Sequence, residues 1–189
     1  MQTIIDYFNH ILPISESEIT ILKPLLQQKV LEKEEFLLQE NQVCKFIAFI
    51  KKGSFRSFHY NANGTSTNLM LDSSQTLISN YESYISQQPS NVSIQATIKS
   101  EVIYISKNDL DHLLENSFYW NKLGRILTEN IFILSKQRLE SIIYKTPEER
   151  YQTLIKYTPD LLEQFSLTDI ASFIGVTPQS LSRIRARIH

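Results

Sequence analysis

Along this chain the spacing of apolar residues changes twice, and the changes divide it into three zones. Up to about residue 28 the period is helical. Ile4, Ile5, Phe8 and Leu12 repeat at three and four, and Ser15-x-x-Glu18 has the form of a capping box ahead of a short helix carrying Ile19, Leu22 and Leu26. From 29 to 106 the period shortens. Phe46-Ile-Ala-Phe-Ile-Lys-Lys-Gly53 is a run for a buried strand that stops at a glycine, and Ser54 to Tyr60 is a polar and aromatic strand. Asn61-Ala-Asn-Gly64 is a hairpin turn, and Thr65 to Leu71 returns from it. Val92 to Ile98 alternates, and Glu101 to Ile105 follows closely. Several short strands joined by turns predict a sandwich or a β-roll barrel. From 107 to 189 the helical period returns. Ser106 precedes a short helix with Leu110, Leu113 and Leu114, and a long helix is expected from about Phe118 to Tyr144. Pro147 and Pro159 then open shorter helices, with Thr146 and Thr158 as their caps.

The last 24 residues repay closer reading. Ser166 is an N-cap with Asp169 three residues on, and Leu167, Ile170, Ala171 and Ile174 make one apolar stripe. Gly175 stands where the helix must end in a left-handed residue. Val176 plugs the corner, Thr177 caps a second helix and Pro178 suits its first position. At 100° per residue, Leu181, Ile184 and Ile188 share one side of that helix, while Gln179, Ser180, Arg183 and Arg187 share another. Two helices crossing closely at Ala171, with one apolar side and one side of donors, are the makings of a DNA-binding helix-turn-helix. Gln179, Ser180 and Arg183 are the candidates for base edges, Gln179 for adenine and Arg183 for guanine. Thr177, Arg185 and Arg187 are the candidates for phosphates. An ordinary amphipathic hairpin with a solvated basic face is the competing reading.

Composition narrows the choice of partner. The net charge of the 189 residues is −1, so nucleic-acid binding must come from a local patch. Segment 166–189 supplies one, with three arginines against a single acid. Cys44 is the only cysteine, which excludes an intrachain disulfide and any site built on several thiolates, and suits a reducing compartment. No apolar run approaches a membrane span, and the first residues lack a basic leader, so a cytoplasmic protein without membrane partners is expected.

The pattern Leu167-x-x-Ile-Ala-x-x-Ile-Gly-Val-Thr-x-x-x-Leu-Ser-Arg-Ile184 resembles the helix-turn-helix of the Crp/Fnr superfamily of bacterial transcription regulators. The fragment from Phe46 to Arg56 is similar to that family's strand, glycine and strand, and the order of elements agrees over nearly the whole chain. The resemblance implies an α+β fold. Residues 1–116 would be a double-stranded, jelly-roll-like β-roll of the cyclic nucleotide-binding type with flanking helices. Residues 117–145 would be a dimerisation helix, and 146–189 the helix-turn-helix domain. It further implies double-stranded DNA as partner, a homodimer reading a pseudo-palindrome, RNA polymerase as a second partner and a small-molecule effector of unknown identity. Trp120, Leu123, Leu127, Asn130 and Leu134 are the residues expected to characterise the dimer helix, which carries apolar residues on more than one face.

The sequence also departs from the family. Where Crp-type sites hold cyclic AMP with a glycine–glutamate pair and, ten residues on, an arginine–serine pair, this chain aligns Ser79 and Asn80, then Ser90 and Asn91. No arginine occurs between Arg56 and Arg125, and Glu82 adds a negative charge. A phosphate monoanion without a cation is hard to bury, so a degenerate effector pocket is expected that does not take cyclic AMP in the usual way. Relatives usually continue into a β-hairpin wing, and after Ile184 only Arg185 to His189 remain, so a complete wing is not expected.

Tyr81, Tyr84, Phe55, Phe58 and Tyr60 read either as the lining of a pocket for a neutral ligand or as core and strand surface. Cys44 reads as a redox sensor or an inert thiol, and haem ligation by Cys44 or His59 stays open. No cofactor or metal is otherwise implied. A cupin-type enzyme would need clustered histidines, and His10, His59, His112 and His189 are far apart, so no catalytic residue is assigned. A third reading is a ligand-sensing or protein-interaction roll whose DNA-binding tail no longer functions.

Overall fold

A computed structural model describes residues 2–188. Two short helices come first, α1 (Gln2–Ile11) and α2 (Glu16–Leu22). Eight strands follow: β1 (Gln27–Leu31), β2 (Phe36–Leu38), β3 (Phe46–Lys52), β4 (Ser54–Tyr60), β5 (Ser66–Ser73), β6 (Leu77–Ile78), β7 (Ser93–Ala96) and β8 (Ser100–Ser106). A short helix, α3 (Tyr81–Ser86), interrupts them after β6. The chain closes with α4 (Lys107–Asn116), α5 (Phe118–Tyr144), α6 (Pro147–Tyr157), α7 (Pro159–Gln164), α8 (Leu167–Ile174) and α9 (Pro178–Ile188). His189 lies outside the described residues. Among the described residues no helix is long and apolar enough to cross a membrane.

The strands form two antiparallel four-stranded sheets, ordered β1-β8-β3-β6 and β2-β7-β4-β5. Burial along β3 shows how the layers stack. Ala48 and Ile50 point between the sheets, with Phe55, Ile94 and Val102. Phe49 points outward, into a second cluster with Ile4, Phe8, Ile103, Leu113, Trp120 and Leu123. A strand with helices on one face and a sheet on the other must be apolar on both, which is why residues 46–50 show no alternation. The glycine that stops the run is required: Gly53 has φ +108°, and a Cβ there would lie 2.1 Å from Ser100 Oγ.

Caps set most helix starts. Ser106 accepts from the N–H of Asp109 at 3.2 Å, and Thr146 with Glu149 makes a full capping box. Two expectations need correction. Ser15 caps α2, but Glu18 does not close the box; its Oε1 accepts from Ser117 Oγ at 3.0 Å and ties α2 to the start of α5. Thr158 does not cap α7 with its side chain, since its hydroxyl faces Leu154 O of the preceding helix at 3.4 Å.

Candidate nucleic-acid interface and effector cassette

The helix pair at the end of the chain is built as its residues require. Ser166 Oγ accepts from the N–H of Asp169 at 3.1 Å and starts α8. Gly175 ends it at φ +77° and ψ 38°, with the N–H of Val176 bonded back to Ala171 O at 2.9 Å. Thr177 Oγ1 accepts from the N–H of Ser180 at 3.2 Å and starts α9. Leu181 and Ile184 are buried against Ile170, Ala171, Ile174, Tyr151, Leu154 and Phe165, and Ile188 packs on the same cluster.

On the other side of α9, Gln179 and Arg183 are exposed, about 40° apart around the axis at 100° per residue. Ser180 is half-buried, and its hydroxyl takes up that of Thr177 at 3.0 Å. Arg185 is exposed at the edge of a small hollow lined by Tyr151, Leu162 and Phe165, and Arg187 lies 3.7 Å from Glu148. Gln179 and Arg183 thus stand on neighbouring positions of the exposed side of α9, their side chains with no hydrogen-bond partner among the described residues. Thr177 and Ser180 engage each other.

The expected effector positions also come together, but on one another. Asn80 Nδ2 donates to Ser90 Oγ at 2.7 Å, and Ser90 Oγ donates to Val92 O at 2.6 Å and accepts from the N–H of Val92 at 3.2 Å. Asn80 Oδ1 accepts from the N–H of Ser83 at 3.0 Å and caps α3. Ser79 Oγ donates to Phe46 O at 3.0 Å. Asn80, Ser83 and Ser90 are all buried. Glu82 and Asn91 are exposed beside them, and the Asn91 carbonyl lies 3.0 Å from His59 Nδ1. Asn80 and Ser90 thus hydrogen-bond each other at the wall of a cavity of about 230 Å³, which Glu82, Ser86, Pro89 and Asn91 also line.

The two tyrosines of α3 pack against other helices. Tyr84 is buried, stacks on Tyr81 with ring centroids 6.0 Å apart, and donates to Asp111 Oδ1 at 3.3 Å. Burial and the Asp111 charge push the Tyr84 phenol pKa up. Tyr81 Oη meets Thr128 Oγ1 of α5 at 2.9 Å. Phe55 and Phe58 are core residues, and only Tyr60 is well exposed. Cys44 is fully buried, its Sγ 3.3 Å from Ser79 Oγ.

Along α5, residues expected to act together fall into two groups. Trp120, 3% exposed, and Leu123 belong to the chain's own core, with Leu127 packed beside them. Asn130 and Leu134 are exposed, in a stretch where Phe132 is 70% exposed and Ile133, Leu139, Ile142 and Ile143 are exposed as well.

Several residues that sequence reasoning passed over join the helix pair to the rest of the molecule. Asn68 of β5 donates through its N–H to Ser172 Oγ at 2.8 Å and through Nδ2 to Asp169 Oδ1 at 3.1 Å. Arg56 of β4 lies 3.8 Å from Asp169 Oδ1. At the opposite end of α8, Arg138 of α5 stacks on Phe173 and donates to its carbonyl, and Arg150 Nε donates to Ile174 O at 2.9 Å. Two cations at a helix C-terminus suit its partial negative charge. Burial, and then the nearby Arg150 charge, lower the Arg138 pKa. No local motif marks these contacts, because the partners are up to about a hundred residues apart.

Residues 28–117 match the sequence family of the cyclic nucleotide-binding domain. Among solved structures, FixK2 from Bradyrhizobium japonicum superimposes with a TM-score of 0.77 at 15% identity, covering 87% of this chain and 84% of that one. The fold is that of the Crp/Fnr regulators. A regulator assigned to the Crp/Fnr family from Eubacterium rectale gives a TM-score of 0.71 at 15% identity, covering 97% and 87%. The c-di-GMP-responsive global regulator CLP of Xanthomonas campestris gives 0.66 at 13% identity, covering 92% and 91%. A search of curated protein sequences finds no match. On the Crp/Fnr fold, β1 to β8 make up the roll, α5 is the long helix that follows it, and α8 with α9 is the helix-turn-helix.

Proposed function

We propose that this chain is a DNA-binding transcription regulator of Crp/Fnr type. It acts as a homodimer on a pseudo-palindromic site, and its cassette does not accept cyclic AMP in the usual way. The observation that carries the reading is α9: a helix packed through Leu181 and Ile184 that holds Gln179 and Arg183 free on its outer side. Gln179 and Arg183 read base edges. Arg185 and Arg187 neutralise phosphates, and Thr177 sits at the helix start beside them. Ser180 contributes only after its bond to Thr177 is exchanged. The second copy packs on the exposed apolar stretch of α5 around Phe132 and Leu134, with Asn130 setting register. Residues 1–116, 117–145 and 146–189 then serve as sensor, dimer helix and reader. RNA polymerase and a small-molecule effector complete the expected partners, and an effector acts by favouring one arrangement of the dimer helices.

The test is selection of genomic fragments by the purified protein at two salt concentrations. The expected result is a palindrome with half-sites about 34 Å apart, bound with a steep negative dependence on salt. A flat salt profile without a motif would instead favour the interaction-module reading.

A further inference from the structure

β5 is the outer strand of its sheet, paired only with β4. An edge strand leaves backbone donors and acceptors open along one side. Here the open side is taken by α8. The N–H of Asn68 donates to Ser172 Oγ, and Ser172 Oγ lies 3.5 Å from Ser66 O. The Asn68 side chain adds bonds to Asp169 O at 3.2 Å and to Asp169 Oδ1 at 3.1 Å. Asn68 is 2% exposed, and its Oδ1 is buried without a partner among the described residues. An unpartnered buried carbonyl costs stability, so an asparagine optimised for the roll alone would not be expected here.

A second feature makes the contact possible. The register of β4 with β5 pairs Ser57 with Met70 and Phe58 with Asn68, which leaves Leu69 as an extra residue. In a regular strand Asn68 and Leu71, three apart, would face opposite sides. The bulge turns both toward the helix pair: Asn68 to α8, and Leu71 into the cluster of Ile170, Ile174 and Leu181.

The joint leaves the reading side open. On α8 the core residues Ile170, Ala171 and Ile174 lie on one side, and Asp169 and Ser172 on the other, against the roll. On α9 the core side is Leu181 and Ile184, and Gln179 and Arg183 face away from it. The polar contacts with the roll are therefore made by α8, and Gln179 and Arg183 lie on the side of α9 turned from its core residues. Since Arg138 and Arg150 hold the other end of α8, the angle of the pair is fixed at two points.

We propose that Asn68, through Asp169 and Ser172, is a positioning residue that sets the angle of the reading helix and hence the half-site spacing the dimer accepts. This rests on the DNA-binding reading above. The test compares the parent protein with Asn68→Ala, Ser172→Ala and, as a control on the exposed part of α8, Thr168→Ala, by selecting palindromes from a pool of variable spacer length. Both clamp variants are expected to keep the half-site sequence and accept additional spacers. Their affinity for the preferred spacer should fall roughly three- to thirtyfold, and Thr168→Ala should behave as the parent. Unchanged spacing and affinity in both clamp variants would overturn the proposal. Hydrogen exchange of the Asn68 amide separates this from a failure of the functional reading. In Ser172→Ala it should speed up about tenfold or more. A parent that selects no palindrome while its Asn68 amide stays protected overturns the regulator reading and leaves only a structural joint. An unprotected amide in the parent overturns the positioning role directly.

Discussion

Asn80 and Ser90 in the roll and Gln179 and Arg183 on α9 are polar residues with opposite fates. The first pair is buried and satisfied within the chain, each hydrogen-bonding the other and the backbone around it. The second pair is exposed, with its donors facing solvent. A polar group already paired in the protein gains little by exchanging that partner for a ligand, whereas a donor held in water on a rigid helix can exchange solvent for a base edge. Both regions carry polar side chains, but those of the roll are bonded to one another beside a cavity of about 230 Å³, and those of the helix face solvent. Polar side chains at a family's binding positions are therefore not evidence of binding until their partners are known.

The comparison can be broken most sharply at Arg183. Arg183→Ala should weaken specific DNA binding by about 1–3 kcal/mol, or roughly 5- to 150-fold, relax the preference at one base position and leave the thermal midpoint unchanged. Titration of labelled DNA beside a melting curve reads both. Ser90→Ala should do the reverse. It leaves Asn80 Nδ2 and the N–H of Val92 without their partner, so stability should fall by about 1–3 kcal/mol in chemical denaturation while DNA affinity holds.

Asp72, beside the joint on β5, gives a smaller effect, since the residue keeps some contact with water. Burial pushes its carboxyl from 3.8 up to about 7. Between those values the folded state holds a proton that the unfolded chain has released, so stability falls as pH rises through this window and levels off above it. Asp72→Asn should flatten that slope, as measured by denaturation at about pH 5 and about pH 8. The smallest expected effect is none: cyclic AMP should give no binding heat and no change in DNA affinity. A measurable heat would show that the bonds joining Asn80, Ser90 and Val92 open for a phosphate after all.

Long periodic elements were legible in the sequence. The expected limits of α5, Phe118 and Tyr144, are those observed, and the turn at Gly175 has the left-handed backbone its position implied. Short elements were not. β2 has three residues and β6 two, too few to show a period, and α3 is a single capped stretch inside what reads as a loop. The missing charge at Ser79, Asn80, Ser90 and Asn91 was visible, but the hydrogen bond between Asn80 and Ser90 was not, because residues ten apart reveal no geometry. On α5 the apolar pattern covered more than one face without showing what each would meet. Trp120 and Leu123 meet the chain's own roll, while Leu134 stays exposed. The joint between β5 and α8 was wholly illegible, since it depends on an unpaired strand edge and a one-residue bulge.

That joint also bears on how the molecule can be taken apart. Because α8 covers the outer edge of β5, a truncation before Thr146 would uncover the backbone of Asn68 and the side chain of Leu71 together. An uncapped strand beside an apolar side chain is a template for adding another strand from a neighbouring molecule. The isolated roll should therefore be prone to self-association, which α8 prevents in the whole chain if it stays seated on the edge of β5.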